Sequence, residues 1–272
     1  MIARIRRSLS DITLRCVLGF LAFHGRRNSA STPERNLQRP RLEPGIATRA
    51  DVLVMNCTGR RVVHVGFCDW PLTDTRIQDG TLLHLRLKEV CRSLVGIDDS
   101  KDGVRRYQEA FPHDDTHICS VYDLSSVADS IASCDVVLLG EVIEHLAEPL
   151  RALHEIAGLL PPGGEVMASV PNAFSLKTFA LALSGVESVH PDHVAWYSPH
   201  TLINLMGRSG LHPVRLQCCQ YGTGKQYWAH LESYPWLADC ILGTFRSAAE
   251  PVGNSMSPTP EADPTHTGAS EA

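Results

Sequence analysis

Short apolar runs alternate with segments of helical periodicity across residues 60–246. Runs of this length, bounded by turn residues, are typical of strands that a sheet buries. They occupy residues 61–65, 94–97, 116–121, 136–139, 166–170, 214–218 and 237–245. Between them, apolar residues recur at helical spacing in residues 81–92, 101–111, 150–160 and 198–210. This alternation predicts an α/β domain with a mostly parallel sheet.

Residues 134–172 contain a strand, a helix, a turn and a second strand in succession. Pro149 suits the first turn of the helix, and the Pro-Pro-Gly-Gly sequence at residues 161–164 ends it. Two parallel strands joined in this way need a right-handed crossover, and their carboxyl ends then meet at one edge of the sheet. We therefore expect Glu141 and Asn172, which follow the two strands, to lie at the same edge.

Three motifs in this unit resemble those of a known enzyme family. EVIEH at residues 141–145, PGGEV at 162–166 and SVPN at 169–172 are similar to the second half of a class I S-adenosylmethionine-dependent methyltransferase. Their spacing resembles the subgroup of ubiquinone-pathway O-methyltransferases and of sugar and natural-product methyltransferases. The resemblance covers residues 60–246. It implies a Rossmann-like, seven-stranded, mostly parallel sheet with helices on both faces and an antiparallel last strand.

The resemblance also implies a function. The cofactor would be S-adenosyl-L-methionine, and the methyl group would pass to oxygen on a small-molecule or glycan-precursor acceptor. Two alternatives stay open. A non-catalytic S-adenosylmethionine-binding module would fit the loss of glycines after the first strand, whereas a nicotinamide-dependent oxidoreductase would need the G-x-G-x-x-G motif that the chain lacks there.

The predicted cofactor residues follow the first three strands. Gly66 ends the first strand, where a glycine lets the backbone approach a ligand closely. The family has a glycine-rich loop at this place, but here Cys68 and Trp70 take the next alternate positions, so we expect a wider loop in which Gly66 and Cys68 contact the cofactor. An insertion at residues 72–80 would account for the long spacing to the second strand.

Acidic residues follow the second and third strands. Asp98 could accept hydrogen bonds from both ribose hydroxyls, as the family's acid does at this position. Asp99 competes for that role, and a helix N-cap is the structural alternative. By the same resemblance, Asp123 would place its side chain beside the adenine amino group.

The remaining candidates surround the EVIEH motif. Glu141 is expected beside the methionine moiety, and His145 and His193 are the candidates for the general base. If the strand end turned into a helical turn, Glu141, Glu144 and His145 would share one face. Some RNA 2′-O-methyltransferases bind a divalent ion with such a set, and His190 or His193 could complete it. We nevertheless predict no metal, and a structural histidine is the other alternative for His145.

Charge and composition set the expected boundaries. Residues 1–50 contain ten Arg against three acidic residues, although the whole chain carries a net charge of -5. This basic segment is predicted to be a poorly ordered extension, with peripheral membrane contact as an alternative. Residues 51–248 form the predicted methyltransferase domain. Residues 249–272 are predicted to be a disordered tail, because they contain no Lys or Arg and few apolar residues.

The cysteine content bears on location. The chain has nine Cys and no C-x-x-C, which fits a reducing compartment, so we expect a cytoplasmic protein. Residues 51–250 lack the Lys and Arg clusters that neutralise phosphates, and we predict no nucleic-acid partner. The sequence does not indicate an oligomeric state.

Overall fold

A computed structural model describes residue 42 and residues 47–222 and 234–247. Its centre is a seven-stranded sheet with the strand order β3-β2-β1-β4-β5-β7-β6. The strands are β1 Arg61–Val65, β2 Ser93–Asp98, β3 Thr116–Ile118, β4 Val136–Gly140, β5 Glu165–Pro171, β6 Leu211–Cys219 and β7 Cys240–Ser247. β7 runs antiparallel to both of its neighbours, β5 and β6, whereas the pairs from β3 to β5 are parallel. The predicted fold class is confirmed.

Helices connect the strands and cover both faces of the sheet. They are α1 Arg49–Cys57, α2 Thr73–Gln78, α3 Leu83–Lys88, α4 Lys101–Ala110, α5 Ala128–Ala132, α6 Pro149–Leu159, α7 Leu176–Leu183 and α8 Pro199–Arg208. Short 3₁₀ turns occur at Ser125–Val127, Ile143–His145 and Pro235–Leu237. In the part of the chain that the structure describes, no helix is long and apolar enough to cross a bilayer.

Successive side chains of the central strands point to opposite faces of the sheet and form one hydrophobic core on each face. On β4, Val137 and Leu139 point into the larger core, which α6 and α8 close, while Val136 and Leu138 point into the smaller one, which α1 and α3 close. All four of these side chains are buried, as expected for a strand covered on both faces. The rigid centre of the sheet therefore fixes the positions of the loops at its carboxyl edge.

Several boundaries differ from the predicted ones. β3 ends at Ile118 rather than at residue 121, and β7 begins at Cys240 because the preceding Pro235–Leu237 forms a 3₁₀ turn. The expected insertion at residues 72–80 contains α2, and the irregular segment after Asn172 contains α7. Each is a short helix whose apolar spacing is too brief to give a periodic signal.

The structured part begins before the predicted domain start at residue 51. α1 begins at Arg49, with the Thr48 hydroxyl accepting a hydrogen bond from the backbone N–H of Asp51, and Thr48 pairs with Gln220 next to the end of β6. Of the predicted basic extension, residues 1–50, the structure describes only residues 42 and 47–50. The predicted tail at 249–272 lies outside them as well.

Candidate functional site

A cleft of about 1020 Å³ lies at the carboxyl ends of β1, β2 and β4. In a parallel sheet, ligands bind at this edge, where the strand order reverses on either side of the first strand. Five of the predicted site residues line the cleft: Gly66, Asp98, Glu141, His145 and His193. Cys68 and Asp123 do not line it.

Gly66 meets both of the conditions that require a glycine. Its φ angle is 73°, in the left-handed region that L side chains rarely adopt. A Cβ atom there would lie 2.6 Å from Cγ2 of Val142. The bare backbone at Gly66 therefore lets the first loop pass close beneath the cleft.

Cys68 contributes its backbone rather than its side chain. The side chain is fully buried and packs with Phe67, Leu82 and Tyr107 below the loop. Burial raises the pKa of its thiol well above the usual range, so the sulfur stays protonated. Its backbone N–H donates to Oδ2 of Asp98 at 3.0 Å. The backbone of Cys68 therefore helps to fix Asp98, and its predicted contact with the cofactor stays a prediction.

Asp98 is held from two sides. Besides the bond from Cys68, Oδ1 accepts the backbone N–H of Ser100 at 2.9 Å. The N-cap of α4 is Ser100, whose hydroxyl accepts the N–H of Gly103, so Asp98 is not the helix cap. A carboxylate has about four acceptor sites, and two stay available on the side that faces the cleft. Asp99 also lines the cleft but is exposed.

The structure does not bring the Asp123 side chain to the cleft. Its Oδ1 accepts hydrogen bonds from the backbone and the hydroxyl of Ser125, at 3.3 and 2.7 Å, in an exposed turn. The preceding residue, Tyr122, lines the cleft instead. Asp123 directs its carboxylate into the turn because β3 ends early and the chain bends before reaching it.

Glu141 joins three distant segments. The Tyr221 hydroxyl donates to Oε2 of Glu141 at 2.6 Å, and Arg49 Nε lies 3.4 Å from Oε1. The same Nε donates to the Ser169 hydroxyl at 2.8 Å. Glu141 has a φ angle of 63°, an unusual value for a residue with a side chain, and its Oε1 accepts no hydrogen bond among the described residues. The carboxylate is therefore held at the cleft, and its Oε1 can accept a hydrogen bond from a ligand.

Glu141, Glu144 and His145 do not share one face. Ile143–His145 forms a 3₁₀ turn rather than an α-helix, and it rotates Glu144 into the core. Glu144 is fully buried, and neither carboxyl oxygen has a hydrogen-bond partner among the described residues. Burial and the nearby Glu141 raise the pKa of Glu144 to about 9, so it is protonated at neutral pH.

Three histidines meet at the other end of the cleft. The rings of His145 and His193 lie 4.5 Å apart between centroids, and His190 lies 5.6 and 5.4 Å from them. Burial, followed by the neighbouring His190, lowers the pKa of His145, and burial followed by His145 lowers the pKa of His193. Both rings are therefore neutral at pH 7.

These histidines also form the group that could hold a metal. One ring nitrogen from each of His145, His190 and His193 lies within 4.8 Å of the other two. Glu141 and Glu144, the possible carboxylate ligands named from the sequence, do not face this histidine cluster. Glu144 is buried in the core, and Glu141 contacts Arg49 and Tyr221.

Two residues at the site are not identified by the sequence patterns. Arg49 falls in the predicted extension, and Tyr221 follows β6 without any motif. A signal for Arg49 is present: Thr48-x-x-Asp51 ahead of an apolar run is a helix-start pattern, and it would have predicted α1. Nothing local to Tyr221 indicates its contact with Glu141, which lies 80 residues earlier.

Comparisons with known proteins agree with this architecture. The sequence model of the family described as "Methyltransferase domain" matches residues 78–216. A ubiquinone biosynthesis O-methyltransferase from Dinoroseobacter shibae is 34% identical over 102 residues, which cover 35% of this chain and 41% of that protein. One from Cereibacter sphaeroides is 36% identical over 101 residues, covering 33% and 40%. The match spans about two fifths of the relatives' own length.

A solved structure shares the fold. A Bacillus halodurans protein described as a candidate methyltransferase superposes with a TM-score of 0.51 at 11% identity, covering 73% of this chain and 98% of that one. At this identity the likeness concerns the fold alone. The family match covers half of the chain and includes β2 to β5, the strands that build most of the cleft. The chain belongs to the methyltransferase domain family, the class I S-adenosylmethionine-dependent methyltransferases.

Proposed function

We propose that the chain transfers the methyl group of S-adenosylmethionine to an oxygen atom of a small-molecule acceptor. One observation carries this proposal. A single cleft has a backbone-anchored carboxylate, Asp98, beyond Gly66 at one end and two neutral imidazoles, His145 and His193, at the other. The first end suits the nucleoside of the cofactor, and the second suits removal of a proton from an acceptor hydroxyl.

The spacing of the strand ends fits an extended nucleoside with an amino-acid tail. Neighbouring strands lie about 4.8 Å apart, so Asp98 after β2 and Glu141 after β4 flank Gly66 across roughly 10 Å. Asp98 keeps two acceptor sites for the ribose hydroxyls. The left-handed backbone of Gly66, which has no Cβ, packs directly against Val142 and lines the cleft between them.

The charges at the Glu141 end complement the methionine part of the cofactor. Its ammonium group would donate to Oε1 of Glu141, the oxygen that accepts no hydrogen bond among the described residues. Its carboxylate would pair with the guanidinium of Arg49, which lines the same cleft. Tyr221 and Ser169 would hold these two side chains in place through the bonds described above.

Bound S-adenosylmethionine supplies an electrophilic methyl group on a positively charged sulfur. The chain then has to align the acceptor oxygen with that carbon and remove the hydroxyl proton. Burial and the neighbouring His190 lower the pKa of His145, which keeps a ring nitrogen unprotonated. His193, one ring away, is the second candidate for the base. An imidazole base must be neutral, so turnover should fall at low pH, with a midpoint below the ordinary imidazole pKa of about 6.5 because the pKa of either ring is lowered.

The acceptor class is the open part of this proposal. The relatives named above act in ubiquinone biosynthesis by their names, which favours hydroxylated aromatic acceptors; glycan precursors are the other class. We retain a cytoplasmic location, membrane contact through the basic N-terminal segment and the lack of a nucleic-acid partner as predictions. Fractionation and lipid-vesicle sedimentation of the full chain would test the first two.

The test is methyl transfer from isotope-labelled S-adenosylmethionine to a panel of phenols, catechols and sugar precursors, with the product atom identified by mass spectrometry. We expect label on an acceptor oxygen, and none with the His145→Gln, His193→Gln double variant. A chain that binds S-adenosylhomocysteine but turns over no acceptor would support a non-catalytic binding module instead. Saturable binding of NADH without S-adenosylhomocysteine binding would support an oxidoreductase.

A further inference from the structure

We propose that His84, a residue outside the cleft, holds His64 in the tautomer whose Nε2 lone pair accepts a hydrogen bond from the ammonium group of the cofactor. His64 lies on β1, is 2% exposed and lines the cleft. His84 lies in α3, is 1% exposed and packs against the rings of Phe67 and Tyr107. These roles rest on the proposed function, with His64 as a further binding residue and His84 as the residue that positions it.

The two histidine rings are joined end to end by a hydrogen bond. Nδ1 of His64 lies 3.1 Å from Nδ1 of His84, and the ring planes are 18° apart. The ring centroids are 5.4 Å apart, which is the N–N distance extended by one ring radius at each end. The rings therefore lie end to end in nearly parallel planes instead of face to face. One of the two nitrogens must carry a proton and the other a lone pair.

Glycines on both neighbouring strands make room for this pair. Gly96 of β2 is the register partner of His64, and a Cβ atom there would lie 3.0 Å from Cε1 of His84. Gly140 ends β4, and a Cβ atom there would lie 2.8 Å from Nη2 of Arg49 and 3.8 Å from Nε2 of His64. The first glycine lets the ring of His84 reach His64. The second lets Nε2 of His64 lie near the guanidinium of Arg49 at the floor of the cleft.

Burial keeps both rings neutral, and the charge of Arg49 selects their tautomers. Burial lowers the pKa of His84 to about 3 and, followed by His84 and Arg49, lowers the pKa of His64 well below its ordinary value. Near His84, the ion pair of Asp114 and Lys88 acts on the pKa in opposite directions. The guanidinium near Nε2 of His64 favours a lone pair there. Nδ1 of His64 therefore carries the proton and donates to Nδ1 of His84.

Nε2 of His64 is available to a ligand in the cleft. In the described part of the chain, His64 makes its ring hydrogen bond through Nδ1. Gly140, near Nε2, precedes Glu141, whose Oε1 accepts no hydrogen bond among the described residues. An ammonium group has three N–H donors and would bond to both acceptors. In the opposite tautomer His64 would turn an N–H toward the ammonium and repel it, so the proton position decides whether the amino-acid end of the cofactor is held.

The first test reads the tautomers in the ligand-free wild-type chain by long-range ¹⁵N–¹H correlation spectra of its imidazole groups. We expect a protonated Nδ1 and an unprotonated Nε2 on His64, and the reverse on His84. Spectra of the His84 variants described below assign the signals. A proton on Nε2 of His64 in the wild-type chain overturns the proposal. This measurement does not depend on the folding of any variant.

The second test compares calorimetric titrations of S-adenosylhomocysteine and of 5′-methylthioadenosine, which keeps the nucleoside and the sulfur but lacks the amino-acid part. His84→Leu removes the acceptor for the Nδ1 proton of His64, whereas His84→Asn keeps one, because its Oδ1 takes the place of Nδ1. For His84→Leu we expect at least tenfold weaker binding of S-adenosylhomocysteine and unchanged binding of 5′-methylthioadenosine. For His84→Asn we expect S-adenosylhomocysteine affinity within about threefold of wild type.

Phe111→Leu is the matched control. Phe111 packs on Tyr107, 4.9 Å between ring centroids, in the same small core as His84 but without contact to the histidine pair. It should lower the melting temperature and leave both affinities unchanged. A folded His84→Leu variant that binds S-adenosylhomocysteine as tightly as wild type overturns the proposal. An equal loss of both ligands in that variant overturns it as well, because His84 would then act on the fold alone.

The wild-type titrations separate this inference from the proposed function. A wild-type chain that binds 5′-methylthioadenosine as tightly as S-adenosylhomocysteine overturns the role of His64 and leaves the nucleoside site intact. A folded wild-type chain that binds neither ligand contradicts the proposed function and, with it, the ligand assigned to His64. A thermal melt of each variant shows whether it is folded.

Discussion

The two ends of the cleft are assembled in different ways. At the end that holds Gly66 and Asp98, the contacts join neighbouring strand ends, and the bond from Cys68 to Asp98 spans 30 residues. At the end that holds Glu141 and the histidines, the contacts join distant parts of the chain. Arg49 reaches Ser169 across 120 residues, and Tyr221 reaches Glu141 across 80.

This difference in how the two ends are built suggests different roles for them in cofactor binding and in acceptor turnover. The cofactor end depends on backbone geometry that the sheet itself imposes, so it suits a ligand that the whole family shares. The acceptor end depends on loops and on side chains from outside the βαβ units, which can vary without disturbing the sheet. We therefore expect substitutions of Gly66 and Asp98 to affect cofactor binding and substitutions of His145 and His193 to affect turnover. Glu141 and its partner Tyr221 lie between these groups and should affect cofactor binding through the methionine part proposed above.

The largest expected effect is on turnover at the acceptor end. Replacing His145 or His193 with Gln removes a candidate base while keeping a hydrogen-bonding side chain. We expect kcat to fall on the order of 10² to 10⁴-fold for the variant that removes the base, with nearly unchanged S-adenosylmethionine affinity. Steady-state kinetics and cofactor titration measure the two quantities.

A structural histidine would behave differently. Its replacement would lower the melting temperature and reduce cofactor affinity and turnover together. Near-normal turnover in both Gln variants would exclude both residues as the base.

At the cofactor end, Gly66→Ala should weaken cofactor binding and the fold together. The new methyl group meets Val142 at 2.6 Å, and the left-handed backbone is strained with any side chain. We expect a loss of about 1–3 kcal/mol in the free energy of unfolding and a clear loss of S-adenosylhomocysteine affinity.

Gly59→Ala is the matched control, since Gly59 has a φ angle of 71° but no atom within 4 Å of the position that a Cβ would take. It should cost only the backbone strain, about 1 kcal/mol, and leave cofactor affinity unchanged. If the two variants lose equal stability and neither loses affinity, the close packing at Gly66 has no role in the site.

A smaller effect is expected at the contact between distant segments. Tyr221→Phe removes the hydrogen bond to Glu141 while keeping the ring. A bond of this kind is worth about 1.5–3 kcal/mol when it involves a charged group, so cofactor affinity should fall by roughly 10-fold or more if Glu141 holds the ammonium group. Calorimetric titration of S-adenosylhomocysteine measures the change, and unchanged affinity would place Glu141 outside the cofactor contacts.

The last prediction concerns stability and its dependence on pH rather than binding or turnover. Glu144 has a folded pKa of about 9, above its ordinary value of 4.5, so the folded state keeps a proton that the unfolded state loses. Stability from this group is present below about pH 4.5 and is lost as the pH rises toward 9. Glu144→Gln cannot ionise, so it should match wild type near pH 4.5 and exceed it increasingly at higher pH.

Denaturant unfolding at several pH values tests this prediction. Glu148→Gln, at an exposed residue paired with Arg151, is the control and should show no such divergence. Parallel stability curves for Glu144→Gln and wild type would mean that Glu144 is ionised in the fold.

The sequence was sufficient for the sheet and for the positions of Gly66 and Asp98 at its edge, because both follow from strand periodicity and from residues next to strand ends. β1 matches its predicted bounds of residues 61–65, and Gly66 and Asp98 lie in the cleft as expected. The sequence failed where a side chain's direction depends on the exact end of an element. The early end of β3 turns Asp123 away, and a 3₁₀ turn instead of an α-helix buries Glu144.

The acceptor end is predictable only in part. His145 and His193 are identified from their motifs, but their contact with each other and with His190 depends on how the loop after β5 folds back over the turn after β4. That path has no periodic signal in the sequence. The role of Arg49 escapes prediction because α1 begins in a segment that composition and charge place before the domain.

The most direct test of the account is calorimetric titration of the folded wild-type chain with S-adenosylhomocysteine, alongside Asp98→Ala and Asp123→Ala. We predict one binding site per chain, affinity at least tenfold weaker in Asp98→Ala because the ribose acceptor is lost, and unchanged affinity in Asp123→Ala, whose carboxylate faces its own turn. A folded wild-type chain that binds no S-adenosylhomocysteine, or an Asp98→Ala variant that binds it as tightly as wild type, would contradict it.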